Sequence, residues 1–69
     1  MELQDWQQRI VEEKHELDAK LVKLDMFLDG SKPSHIEQLD WDLLKQQRTA
    51  MGQYSFILDL RIGKFKGEN

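Results

Sequence analysis

The sequence predicts an all-α protein: a two-helix antiparallel hairpin with a short helical turn in the connection, assembling into a helical oligomer. Three observations predict it. Apolar residues recur at helical spacing from Leu3 to Leu28 and again from Trp41 to Ile62. A breaker segment, Gly30-Ser31-Lys32-Pro33-Ser34, parts the two stretches. At 69 residues the chain makes a single domain whose core leaves little margin over conformational entropy. It has no cysteine for a disulfide, and two separated histidines do not make a zinc site, so self-association or an unusually well-packed hairpin is what remains to stabilise it.

The first helix is expected over about 3–29. Leu3, Trp6, Ile10, Leu17, Leu21, Leu24 and Leu28 follow steps of three, four or seven and stack on one face. Val11, Val22, Met26 and Phe27 widen this stripe beyond what one partner helix covers, which predicts a bundle built from several hairpins. Gly30 is placed to end the helix in a left-handed conformation, and Pro33 bars its resumption.

The connection is expected over 30–39, where Ser34-His35-Ile36-Glu37 has capping-box spacing and predicts one helical turn. The second helix is expected over about 40–62, with Asp40 as N-cap, Trp41 as its start, and Leu39 packed on Leu44 as a hydrophobic staple. Leu44, Met51, Tyr54, Leu58, Ile62 and Phe65 form the expected inward stripe, flanked by Leu43, Ala50, Phe56 and Ile57. Gly63 is expected to end the helix, leaving 63–69 as a frayed tail. Gly52 interrupts this helix at a cost of about 1 kcal/mol relative to alanine. Either another backbone approaches closely there, or a ligand needs room beside Tyr54.

Thirteen acidic against ten basic residues give a net charge of −3, which disfavours DNA and anionic membranes as partners. The start, Met1-Glu2-Leu3-Gln4-Asp5, lacks a signal-peptide pattern, and no stretch approaches the roughly 20 apolar residues of a membrane span, so a cytoplasmic protein is expected. No phosphate-cradling glycine loop, nucleophile elbow or acid–base set stands out, and neither enzyme activity nor a cofactor is expected. Glu12, Glu13, His15 and Glu16 read as a solvated helix face rather than a metal site, with Glu16–Lys20 and Asp5–Arg9 spaced for helical ion pairs.

The candidate binding residues lie at or near the apolar stripes. Trp6 or Tyr54 can stack a planar base, while Lys20, Lys23, Arg48 or Arg61 meets phosphate charge at a subunit boundary. On the alternative reading Tyr54 is a core aromatic, and Arg61 and Gln47 set the hairpin register or bridge subunits.

Two runs of residues carry a resemblance. The first is Arg9-Ile10-Val11, Glu13-Lys14, Glu16-Leu17-Asp18, Lys20-Leu21, Lys23-Leu24 and Phe27; the second is Leu43-Leu44-Lys45, Gln47, Ala50-Met51, Tyr54, Ile57-Leu58 and Arg61-Ile62. Together they resemble a family of short, mostly uncharacterised phage and prophage proteins named after a crAss-like phage protein. The likeness covers nearly the whole chain. Trp6 stands where that pattern leads one to expect tyrosine, and Trp41 where it is usually acidic. The layout of Leu39 to Ile62, with Met51-Gly52 in its middle, is also similar to phage anti-CBASS sponges and to the hairpin of anti-Thoeris sponges. That similarity implies an oligomer that sequesters a cyclic-nucleotide defence signal between subunits. Its polar positions align in more than one way, so no binding residue is carried over.

Three functions therefore compete: a sponge for a nucleotide-derived immune signal, a helical module that binds a host or phage protein, and an enzyme. The sponge is the expectation. Its expected partners are further copies of the chain and a cyclic nucleotide or related signal.

Overall fold

The computed structural model describes residues 2–67, which form two antiparallel helices, α1 over Asp5–Leu28 and α2 over Gln38–Lys66, in a rod about 50 Å long. The predicted all-α hairpin is thus the observed fold, and the described residues contain no strand. Glu68 and Asn69 of the expected tail lie outside the described residues.

Helix α1 opens with the Gln4 backbone N–H donating to Gln7 Oε1 at 2.9 Å, which satisfies a donor that helix geometry leaves unpaired. At its other end Asp29 is right-handed and its N–H still donates to the Asp25 carbonyl. Gly30 does not adopt the expected left-handed conformation, since Gly67 is the described glycine with positive φ. The exit runs instead through Asp29 into a loop that Lys32 organises. Its ammonium donates to the Ile36 carbonyl at 2.5 Å, and the Ile36 N–H donates to the Pro33 carbonyl at 3.1 Å. Ser34 and His35 thus occupy the middle of a single hydrogen-bonded turn.

Helix α2 is longer than expected at both ends. Glu37 is its N-cap, and the Trp41 N–H already donates to the Glu37 carbonyl, so Asp40 lies in the first turn rather than before it. Asp40 favours the positive end of the helix dipole there. Leu39, exposed, lies inside α2 and not before its cap, the position that the expected staple requires. At the far end α2 continues through Gly63, which is buried, and stops at Gly67 with φ 76°. The last turn stays helical because Phe65 packs edge-on against Trp6, ring centroids 5.8 Å apart.

The seam has a regular seven-residue repeat. On the first arm it uses Leu3, just before α1, and then Gln7, Ile10, Lys14, Leu17, Leu21, Leu24 and Leu28; on α2, Trp41, Leu44, Arg48, Met51, Ser55, Leu58, Ile62 and Phe65. Each is buried or half-buried, and the steps alternate between three and four, the pattern of a coiled-coil interface. Leu58, 1 % exposed, and Trp41, 4 % exposed, anchor it, with Ile10 and Leu21 opposite. Phe27 meets Trp41 edge-on at 5.6 Å near the loop. Tyr54 was expected in this seam but is 43 % exposed. The repeat of about 3.5 residues passes through Ser55 instead and turns its neighbour outward.

Candidate functional site

The seam repeat carries polar residues where apolar ones would be expected. At mid-length, Ser55 on α2 is buried and donates its hydroxyl proton to Asp18 Oδ1 on α1 at 2.5 Å. Lys14, one turn before Asp18, donates to Asp18 Oδ2 at 2.7 Å and to Ser55 Oγ at 3.0 Å. Hydrogen bonds from Lys14 and then Ser55 hold the Asp18 carboxyl below its ordinary range. In this triad lysine acts as a donor to serine, and the serine lies inside a helix whose backbone N–H groups are used in the helix ladder. The arrangement lacks the free base and converging donors of a serine nucleophile site.

A second cross-helix pair lies nearer the loop. The Arg48 guanidinium grips Asp25 with two of its nitrogens, Nε to Oδ1 at 2.5 Å and Nη2 to Oδ2 at 3.1 Å. Arg48 pulls the Asp25 carboxyl down, and the carboxylate in turn pushes the arginine up. This pair accounts for Gly52. A Cβ at position 52 would stand 2.5 Å from Arg48 Nη1, so the glycine leaves room for the guanidinium to lie across the turn of its own helix. In the single chain that space is taken by a side chain of the same helix.

The open clefts divide the remaining predicted residues. Lys20 and Lys23 line one of about 380 Å³ together with Leu24, Phe27, Gln47 and Met51. Trp6 and Arg61 line another of about 540 Å³ at the opposite end, with Gln7, Lys64 and Phe65. Trp6 is half-exposed and donates its indole N–H to Gln4 Oε1 at 3.0 Å. A third, open groove of about 830 Å³ runs beside Arg48, Gly52 and Phe56. Tyr54 is 43 % exposed and is not among the residues lining these three clefts.

Thus Lys20 and Lys23 come together, Trp6 and Arg61 come together, and Arg48 is committed to Asp25. Among the described residues the ion pair within α1 is Lys14–Asp18 rather than Glu16–Lys20 or Asp5–Arg9. Sequence reasoning missed Asp18, Asp25, Ser55 and the cleft role of Phe27. The signal for Ser55 was present: the strict repeat through Trp41, Arg48, Ser55 and Ile62 places it inward. The described residues contain no helix long and apolar enough to cross a membrane.

A family model described as Sequestin matches residues 4–64, which span both helices and the loop. No curated protein and no solved structure matches the chain.

Proposed function

The chain belongs to the Sequestin family, and from that membership we propose that it is a small, non-enzymatic phage or prophage protein of the bacterial cytoplasm that oligomerises and sequesters a nucleotide-derived host immune signal. The family name points to sequestration. One observation supports a nucleotide as the captive: the cleft that joins Lys20, Lys23, Gln47 and Phe27.

A chain of net charge −3 has no general attraction for phosphate, so local cations must supply it. Lys20 and Lys23 stand one helical turn apart and both line this cleft, where their ammonium groups can reach a phosphate. Phe27 and Met51 give an apolar bed for a base, and the Gln47 amide can both donate and accept at a base edge. Holding a ligand needs nothing more: no bond is made or broken, and affinity rather than turnover is the function.

Native mass spectrometry with cyclic di- and trinucleotides and ADP-ribose-derived signals tests this directly. A discrete nucleotide mass on the protein is expected. If the protein binds none of the panel, the second reading takes over, a helical module that inhibits or adapts a host or phage protein. The feature favouring that reading is the exposed apolar surface of α2, where Leu39, Leu43, Phe56 and Ile57 face outward.

A further inference from the structure

The outer surface of α2 repeats the rule of its inner seam. Leu39, Leu43, Gln46, Ala50, Gln53, Ile57, Leu60 and Lys64 follow alternating steps of four and three, and every one of them is exposed. One helix therefore carries two coiled-coil stripes, the inner covered by α1 and the outer facing solvent in the single chain. Apolar side chains as exposed as Leu39, at 67 %, and Ile57, at 54 %, on such a repeat favour a helix as their cover.

Charge along the stripe identifies that helix and its direction. Asp40 and Asp42 flank the N-terminal end, while Arg61 and Lys64 lie at the C-terminal end. A parallel second copy would set like charges side by side at both ends. An antiparallel copy sets each acidic end against a basic one, and such a pairing is self-complementary, as a two-fold interface requires.

We infer that the outer stripe of α2 docks antiparallel on the same stripe of a second copy, about a two-fold axis beside Met51 and Gly52. In this register Ala50 faces Gln53 of the partner subunit and Gln46 faces Ile57 of the partner subunit, while Asp40 lies across from Arg61 of the partner subunit. Flanking residues on the same side of an antiparallel pair approach each other, so Gln47 is met by Tyr54 of the partner subunit. Gln47 lines the Lys20–Lys23 cleft. The outward tyrosine thus becomes a second aromatic wall for a cleft that in one chain has only Phe27. The pairing stands on the stripe and its charges alone; the role of Tyr54 at the cleft rests on the sequestering reading.

The absence of cysteine makes a covalent test clean. Gln46→Cys protein is mixed with Ile57→Cys protein and oxidised under mild conditions, and each is also oxidised alone. The expected result is a disulfide-linked heterodimer in the mixture and little cross-linking of either variant alone. Homodimers in the separate samples would establish a parallel pairing and overturn the proposal. Native mass of the ligand-free, unmodified protein gives a second readout. An even-numbered oligomer that dissociates in Ile57→Lys, with helical circular dichroism retained, is expected; a monomeric wild type would refute the docking. A paired protein that binds no nucleotide supports this interface and sinks the sequestering reading, whereas a monomer that binds one does the reverse.

Discussion

The Ser55 hydroxyl of α2 donates to the Asp18 carboxylate of α1 at 2.5 Å, and Lys14 bonds both. This polar junction sits in a seam otherwise filled mainly by leucine, isoleucine and aromatic side chains. Its geometric demand is strict, because sliding one helix by a turn would leave a buried hydroxyl without a partner. The triad therefore selects one register among several that leucine packing alone would tolerate.

Acid should loosen the hairpin through Asp18. Its folded pKa lies below the ordinary value of 3.8, so the unfolded chain takes up the proton first as pH falls. The stabilisation is complete above 3.8 and is lost as pH drops through the lower folded value. Carboxyl NMR titration of Ser55→Ala should show Asp18 moving up toward 3.8. An unmoved titration would rule out the bond.

Core truncation should separate the two faces of the hairpin. Leu58→Ala is expected to cost about 3 kcal/mol, because a side chain 1 % exposed leaves a cavity that two helices cannot fully close. Met26→Ala, at a position 74 % exposed, should change stability by no more than about 0.5 kcal/mol. Urea unfolding at a single protein concentration compares them, since association makes stability concentration-dependent.

Gly52→Ala sets two effects against each other. The new methyl displaces the Arg48 guanidinium and weakens its grip on Asp25, while the helix gains about 1 kcal/mol of intrinsic propensity. Exposed ion pairs contribute little, so the variant should be somewhat more stable than wild type. Its Asp25 titration should move up toward the ordinary value. Clear destabilisation would mean that Gly52 is needed for a close approach by another chain.

Ligand binding should depend on the lysines and not on Arg48. Lys20→Ala and Lys23→Ala are each expected to weaken nucleotide binding about tenfold or more, the loss of a charge-assisted contact. Arg48→Ala should leave affinity near wild type because its guanidinium is held by Asp25. Tyr54→Ala should weaken binding without lowering the oligomer mass. Calorimetry with whichever panel nucleotide binds measures all four, and equal losses across them would remove the lysine cleft from the site.

The sequence by itself determined the helices, the position of the break and most of the apolar seam, but apolar spacing leaves the buried Trp41 out of the inward stripe. Periodicity and Pro33 are local signals, and local signals survive without knowledge of the partner. It also contained the seven-residue repeat that places Ser55 inward, although a search for apolar faces alone passes over that serine and selects Tyr54. The ends of α2 were misread for a related reason. Asp40 and Gly63 look like a cap and a stop, but helix ends yield to packing: Trp41 is buried against Phe27, and Phe65 is held by Trp6, so both terminal turns remain helical. Only the tertiary structure decided which cations meet. Lys20 and Lys23 share a cleft, Arg48 is claimed by Asp25, and Arg61 lies with Trp6 at the far end. Those outcomes depend on the antiparallel register of two helices, a long-range relation that the spacing of residues along one helix does not encode.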